Sequence, residues 1–409
     1  MNTRIHNEYR LENGLRIVHE SSPTGVIYCG YAIGAGTRHE QPGEEGMAHF
    51  CEHMSFKGTE HRRSWHVLNC LESVGGDLNA YTNKQETVYY AAIPKEHFTR
   101  AVDLLSDIVF HSTYPQTEID KEVEVISDEI ESYNDSPSEL IYDEFEQMLF
   151  RGHPLAGNIL GTIETLRTFR TNDARRFTQR FYHPANAVFF VYGQVDFKKV
   201  IRLVEKHTAG IPTPQPETIC QPLTPYQAEH RIVERNTHQA HVLIGNRCYG
   251  GADSRLTGLF LLNNLLGGPG MNSRLNLSLR ERNGLVYTVD STISHYTDAG
   301  VWSIYFGCDN KDVEHCRRLV LKELRRLREA PLSNSQLAAA KRQLIGQIGV
   351  SCDNFESYAL AMGKTYLHYN RFRDIDRLRQ KLEELDAETL QQTACEIFDE
   401  SQLTTLIYQ

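Results

Sequence analysis

The chain has 409 residues, enough for two or three ordinary domains, and its 40% apolar and 23% charged residues are typical of a folded globular protein. The formal net charge of -10, without a dense cluster of lysine and arginine, argues against a nucleic-acid-binding protein. Nine scattered cysteines with no CxxC spacing indicate reduced thiols rather than a disulfide framework or a thiolate metal site.

The chain carries no signal for a membrane. No apolar run approaches the roughly 20 residues that a transmembrane helix needs. The first residues, MNTRIHNEYRLENGLRIV, lack the charged-then-apolar order of a signal peptide and lead directly into a predicted strand. We therefore expect no membrane association and a cytoplasmic location.

The first half of the chain predicts strands interspersed with helices. Runs rich in β-branched and aromatic residues predict strands at 14–20, 26–36, 87–93 and 188–193. Apolar residues at helical spacing predict helices at 46–56, 98–110, 117–133 and 174–181.

A proline-rich segment divides the chain near its middle. Residues 211–225 hold five of the 14 prolines, which suits an extended linker. Beyond it we predict strands at 240–247 and 301–307, and helices at 255–266, 313–329, 335–346 and 378–400. Both sides contain mixed strands and helices in a similar order, so the sequence predicts an internal duplication.

The helix predicted at 46–56 contains the pentapeptide HFCEH. Its histidines, His49 and His53, are four residues apart and lie on one helix face. This geometry suits the first two ligands of a zinc ion. Glu52 lies one step around the helix, close enough to handle a water molecule but poorly placed as a third ligand. The alternative is a surface pair of histidines. Metal binding is favoured because acidic residues precede this helix and a glycine follows it.

The second half contains no such motif at the matching place. Aligning the two halves sets Phe260, Asn263 and Asn264 against the two histidines and the glutamate of the first half. On this alignment one half is catalytic and the other is structural.

The acidic helix predicted at 117–133 is the place to look for a third ligand. Its apolar residues form one stripe, and Glu122 and Glu129, seven residues apart, flank one edge of that stripe. Asp120 borders the other edge. Periodicity leaves these three carboxylates open as candidates, and a solvent-exposed charged face is the alternative for each of them.

The spacing of these groups resembles a known family. Glu122 follows the last histidine of HFCEH by 69 residues, and Glu129 follows seven later. This pattern is similar to that of the inverted-motif zinc metallopeptidases, the insulinase, pitrilysin and mitochondrial processing peptidase family. Segments such as GDLNAYTNKQETVYY, YHPANAVFFVYGQVD and LRERNGLVYTV also resemble the family in family order, so the resemblance covers nearly the whole chain.

The resemblance implies a zinc-dependent endopeptidase that hydrolyses peptides or unfolded segments enclosed in a chamber. It assigns one Zn²⁺ per chain to His49, His53 and Glu129, and the activation of water to Glu52. Glu122 becomes a supporting carboxylate near the metal. The competing function is a catalytically silent peptide-binding or assembly subunit of the same fold.

The resemblance also implies groups that contact the substrate. Arg280 and Tyr287, in LRERNGLVY, correspond to family residues that reach toward the scissile group and are suited to stabilise an oxyanion. An ordinary surface arginine is the alternative for Arg280.

A strand edge is the second substrate-contacting feature that the resemblance implies. Asn79, Ala80, Tyr81 and Thr82 are the substrate-binding positions, on an edge that pairs with the peptide backbone. The alternative is a strand edge whose backbone is paired within the protein.

The expected fold class is α+β. We expect two homologous domains, 1–210 and 226–409, each a mostly antiparallel sheet with helices packed on one face, joined by the linker at 211–225. Long family members carry four such domains, so the resemblance implies a second chain here, as a homodimer or a heterodimer. By the same analogy Arg280 and Tyr287 of one subunit serve the zinc site of the other.

Overall fold

The computed structural model describes residues 6–214, 221–235 and 237–409. These residues form two compact units. The first unit comprises the described residues of Met1–Glu131, Gly157–Gln221 and Cys352–Arg373, and the second comprises those of Ser132–Ala156, Pro222–Ser351 and Asp374–Gln409. The predicted boundaries at 1–210, 211–225 and 226–409 stay a prediction, and residues 215–220 of the predicted linker lie outside the described residues.

The described residues contain eleven strands and fourteen α-helices. The strands are β1 (His6–Arg10), β2 (Arg16–Glu20), β3 (Val26–Ile33), β4 (Asp77–Thr82), β5 (Thr87–Pro94), β6 (Ala187–Tyr192), β7 (His230–Val233), β8 (Ala240–Cys248), β9 (Val286–His295), β10 (Gly300–Cys308) and β11 (Thr404–Tyr408). The helices are α1 (Met47–Ser55), α2 (Ser64–Glu72), α3 (Phe98–Phe110), α4 (Gln116–Asn134), α5 (Pro137–Leu149), α6 (Ile163–Leu166), α7 (Thr171–Phe181), α8 (Phe197–Thr208), α9 (Leu256–Gly267), α10 (Val313–Glu329), α11 (Asn334–Ser351), α12 (Phe355–Tyr369), α13 (Ile375–Glu384) and α14 (Ala387–Ile397). Within the described part of the chain, no helix is both long enough and apolar enough to cross a bilayer.

Each unit is built on one sheet, and the two sheets share a topology. The described strands of the first unit are ordered β1-β2-β6-β3-β5-β4, and those of the second unit β7-β11-β8-β10-β9. In each sheet one pair is parallel, β2 with β6 and β7 with β11, and the other pairs are antiparallel. From β2 and from β7 onward the order is the same, which agrees with the predicted duplication. The predicted α+β class with two mostly antiparallel sheets is confirmed.

The central strand β6 of the first sheet is buried on both of its faces. On β6, Phe189 and Val191 enter the large core formed with the helices α1, α3 and α7. Phe190 points to the opposite face, where α12 packs so closely that a Cβ on Gly363 would lie 2.5 Å from Cδ1 of Phe190. Because both faces are covered, the strand is apolar at every position rather than alternating.

The sheet of the second unit is also covered on both faces, and one of its covering helices comes from the first half of the sequence. Its main core lies on one face of the sheet, and on the other face Leu243 and Tyr408 pack against Ile141 and Phe145 of α5. A helix from the first half of the sequence thus covers the second sheet, and α12, from the second half, covers the first. The sequence analysis expected helices on one face of each sheet, and the structure adds a helix on the other face. The sequence analysis did not predict this exchange, because an apolar helix face does not specify which sheet covers it.

Most predicted elements agree with the structure, and the helices at 98–110 and 313–329 are confirmed at both ends. The single helix predicted at 378–400 is wrong. The chain is extended at Leu385 and Asp386, and the Asp386 side chain accepts a hydrogen bond from the backbone N–H of Thr389 to start α14. Helix α13 therefore ends at its C-cap Leu385, and the N-cap Asp386 begins α14. The sequence analysis also missed helices α2, α5, α6, α8 and α12.

Candidate active site

Helix α1 is held by its apolar side and presents its polar side to the site. Phe50, Cys51 and Met54 are buried in the core of the first unit. The first turn is capped by Glu40, whose carboxylate accepts hydrogen bonds from the backbone N–H groups of Gly46 at 3.0 Å and Ala48 at 2.9 Å. Burial raises the pKa of Glu40, and these two hydrogen bonds oppose that rise. The two histidines and the glutamate of the motif are left on the remaining face.

Three donor atoms converge between α1 and α4. The Nε2 atom of His49 lies 3.9 Å from Oε1 of Glu129, and Nε2 of His53 lies 3.5 Å from Oε2 of the same carboxylate. Each residue offers one ligand atom to a group whose members lie within 4.8 Å of one another, and the described residues contain no other such group of three. Periodicity alone left Asp120 open, but its carboxylate accepts a hydrogen bond from Gln116 and is not part of this group.

The chemistry of these donors fits a zinc ion. Two imidazole nitrogens and one carboxylate are a familiar catalytic zinc ligand set, which leaves a coordination position open. Burial and the neighbouring His53 lower the pKa of His49 to about 3, so its imidazole is neutral. The Nδ1 atom of His49 is buried without a hydrogen-bond partner in the described part of the chain, so no described residue holds this ring through Nδ1. Metal ligation requires the neutral ring.

Glu122 lies behind the three candidate metal ligands, His49, His53 and Glu129, and is not one of them. Its Oε1 atom lies 2.9 Å from Nδ1 of His53, and its Oε2 atom lies 2.6 Å from Nζ of Lys57. Burial would raise the pKa of Glu122, but the hydrogen bonds from His53 and Lys57 outweigh burial and lower the pKa. An ionised carboxylate here accepts the Nδ1 proton of His53 and leaves Nε2 free for a metal.

Lys57 contacts Glu122 at the candidate site, and the sequence analysis missed it. It lies four residues after His53, just beyond the end of α1, on the side that faces α4. Because Lys57 lies outside both the predicted and the observed helix, the i, i+4 rule that paired the histidines did not reach it.

Glu52 is buried, and a residue of the first sheet forms a hydrogen bond to its carboxylate. Its Oε2 atom accepts a hydrogen bond of 2.6 Å from the hydroxyl of Thr82, the last residue of β4. Burial raises the pKa of Glu52, although the hydrogen bond from Thr82 and the nearby His53 work against this. The carboxylate is thus fixed beside the metal group without being one of its ligands.

The predicted substrate-binding residues lie on β4, which is an edge strand. Among the described strands β4 pairs only with β5. Asn79 is exposed, Ala80 packs toward the core, and Tyr81 is half-buried with the ammonium group of Lys364 5.7 Å from its ring centroid. Their role in substrate binding stays a prediction.

Arg280 and Tyr287 lie in the second unit and contact each other. The guanidinium of Arg280 lies 5.6 Å from the ring centroid of Tyr287, whose side chain is 81% exposed. Arg280 belongs to a π-helical segment, Asn276–Glu281, and Tyr287 is on β9. The structure therefore brings this pair together, and its role at the zinc site stays a prediction.

The second unit has a counterpart of the Glu52–Thr82 contact. Helix α9 follows β8 as α1 follows β3, and β9 occupies the edge position of β4. On these elements Ser291 donates from its hydroxyl to Oδ1 of Asn263 at 2.6 Å, and Nδ2 of Asn263 donates to the carbonyl of Ser291 at 2.8 Å. This supports the alignment of Asn263 with Glu52. An amide thus takes the place of the carboxylate, and α9 contains no histidine.

Comparisons with known proteins identify the family. A family model described as "Insulinase (Peptidase family M16)" matches residues 16–163, and one described as "Peptidase M16 inactive domain" matches residues 168–344. A Bacillus subtilis protein described as an uncharacterized zinc protease is 32% identical to this chain. The aligned region covers 98% of this chain and 97% of the Bacillus protein. The chain belongs to the insulinase family, peptidase family M16. The resemblance seen in the sequence is confirmed.

A further relative and a solved structure are similar over nearly the whole chain. A Rickettsia bellii protein, also described as an uncharacterized zinc protease, is 30% identical over 98% of this chain and 97% of its own. The crystal structure of a protease from Helicobacter pylori shares the fold with a TM-score of 0.92, at 24% identity over 99% of both chains. The similarity of fold to this structure thus extends over both units.

Proposed function

We propose that this M16 chain is a zinc-dependent endopeptidase that hydrolyses peptides or unfolded segments. The observation that carries the proposal is the convergence of His49, His53 and Glu129, with the buried non-ligand carboxylate of Glu52 on the same helix. The relatives described as zinc proteases support zinc as the metal.

Glu52 is the proton carrier of the proposed reaction. Zn²⁺, when bound, supplies a Lewis acid for the scissile carbonyl group and increases the acidity of water. Thr82 holds Oε2 of Glu52, and no described residue forms a hydrogen bond to Oε1. Oε1 accepts the proton of the attacking water and donates it to the leaving nitrogen as the C–N bond breaks.

The remaining residues orient ligands and substrate. Glu122, held by Lys57, orients the His53 ring, and the free backbone edge of β4 pairs with an extended peptide. We further propose that Arg280 and Tyr287 of a second subunit donate hydrogen bonds to the oxyanion in a homodimer. A heterodimer with a related chain is the alternative.

A peptide-library digest tests the proposed chemistry. Mass spectrometry would compare cleavage of a mixed peptide library by the zinc-loaded wild type and by Glu52→Gln. Glu124→Gln, an exposed carboxylate on α4, is the matched control. We expect cleavage by the wild type and the control but none by Glu52→Gln. Equal cleavage by all three would contradict the role of Glu52. Zinc and peptide binding without cleavage by any of them would favour a binding or assembly subunit.

A further inference from the structure

We propose that the second unit binds the phosphate group of a small organic phosphate in a pocket beside the π-helical segment Asn276–Glu281. The pocket has a volume of about 390 Å³. Its charged lining consists of Arg274, Arg282, Arg326 and Glu323. This excess of two positive charges is unusual in a chain whose net charge is -10.

One carboxylate and one guanidinium of the pocket satisfy each other. Oε1 of Glu323 lies 2.5 Å from a guanidinium nitrogen of Arg326, one turn along α10. The side chain of Glu323 is almost fully buried, so this carboxylate has little room for further partners. Glu323 also acts electrostatically on Arg274, but one carboxylate cannot balance the three arginines of the lining.

Arg274 and Arg282 have no such partner. In the described part of the chain, neither guanidinium forms a hydrogen bond or an ion pair. Arg274 is half-buried, and burial lowers its pKa, with Glu323 opposing this and Arg326 adding to it. A guanidinium presents five N–H donors in a fixed planar array, and those of Arg274 line the pocket without an acceptor among the described residues. An anion in the pocket would provide that acceptor.

A phosphate monoester matches this lining better than a carboxylate does. It carries between one and two negative charges at neutral pH and three terminal oxygens, which suits two guanidinium groups at once. The pocket lies at the small end of the roughly 300 to 1,000 Å³ that small-molecule sites occupy. Leu277, Pro331 and Leu332 provide an apolar wall for the organic part.

Binding would join the two ends of the π-helical segment. Arg274 precedes the segment, and Arg282 follows it, with the backbone N–H of Arg282 donating to the carbonyl of Leu277 at 3.1 Å. The π-helical conformation is rare and recurs at functional sites. Because Arg280 lies in this segment, a bound phosphate would also stabilise the proposed oxyanion donor, a consequence that rests on the proposed peptidase function.

Calorimetric titration of the full-length protein with phenyl phosphate tests the site directly. The ionic strength is held constant, and benzoate serves as the singly charged comparison. Hydrogen exchange at residues 276–285 reports where binding occurs. We expect phenyl phosphate to bind and to slow exchange there, and benzoate to bind more weakly.

Variants distinguish this pocket from other basic surfaces. Arg282→Gln changes an exposed side chain and should weaken phenyl phosphate binding roughly tenfold, the effect of one lost charge-assisted hydrogen bond. Arg274→Lys keeps the charge but loses the planar array and should also weaken binding. Arg318→Gln, an exposed arginine on α10, should bind as the wild type does. Absence of phenyl phosphate binding, equal binding of benzoate, or equal affinities of Arg282→Gln and Arg318→Gln would each overturn the proposal. None of these measurements depends on peptidase activity.

Discussion

The Nδ1 atom of His53 lies 2.9 Å from Oε1 of Glu122, which places a buried carboxylate behind the imidazole rather than at the metal position. Glu129, about two turns further along α4, faces Nε2 of the same ring. One helix thus supplies both a ligand and the group that orients another ligand. The distinction between the two glutamates leads to different expected effects of their substitution.

Removing Glu129 should abolish stable zinc binding. Glu129→Ala deletes one of three ligand atoms, whereas Asp128→Asn alters an exposed neighbour that is not in the metal group. Metal analysis after dialysis should find about one zinc per chain in the wild type and in Asp128→Asn, and much less in Glu129→Ala. Full zinc occupancy in Glu129→Ala would remove it from the ligand set.

Removing the contact between Lys57 and Glu122 should weaken zinc binding without abolishing it. Lys57→Met removes the ammonium group that lies 2.6 Å from Glu122, so the carboxylate orients His53 less well. Loss of such an outer partner lowers metal affinity by about 10- to 100-fold. Competition with a chromogenic chelator would measure this. Lys121→Met, on the exposed side of α4, is the control, and equal affinities of the two variants would show that Lys57 does not act through Glu122.

Removing the Thr82 hydroxyl should slow catalysis while zinc stays bound. Thr82→Val leaves the buried Glu52 carboxylate without the donor at 2.6 Å, at a cost of about 1.5 to 3 kcal/mol in its positioning. We expect kcat/KM to fall roughly 10- to 100-fold, as measured with a fluorogenic peptide. Thr82→Ser keeps the hydroxyl and should retain most activity. A loss of the same size in Thr82→Ser would point instead to packing at the end of β4.

The proposed trans arrangement can be tested by subunit mixing. Glu52→Gln and Arg280→Ala should each be inactive as homodimers. In a mixed dimer, Glu52 of one subunit meets Arg280 of the other, so one of the two sites is intact. Equimolar mixing with subunit exchange should recover about a quarter of the wild-type activity. No recovery above the separate variants, despite mixed dimers detected by native mass spectrometry, would exclude the trans arrangement.

Gly363 should be sensitive to any added side chain. Gly363→Val places a Cβ 2.5 Å from Phe190 where α12 packs on the first sheet, and overpacking of this kind lowers the free energy of unfolding by about 1 to 3 kcal/mol. Gly346→Ala is the control, because a Cβ there meets nothing within 4 Å and should stabilise helix α11 by up to about 1 kcal/mol. Urea unfolding would measure both. A stable Gly363→Val would mean that α12 packs less closely than described.

The sequence by itself determined the local features of this protein. The spacing of His49 and His53 on one helix face, and the apolar runs of the central strands, follow from the periods of helix and strand, which depend only on backbone geometry. The motif and its distance from the acidic helix were likewise sufficient to indicate the family. These features need no knowledge of distant contacts.

Only the tertiary structure decided which distant groups meet. Periodicity left Asp120, Glu122 and Glu129 equivalent, and the crossing of α4 over α1 separated a ligand position from an orienting position. The contact of Thr82 with Glu52, and the cover of each sheet by a helix from the other half of the sequence, were likewise not predictable from local pattern. An amphipathic segment encodes that a face must be buried, whereas its partner is selected by packing of the whole chain.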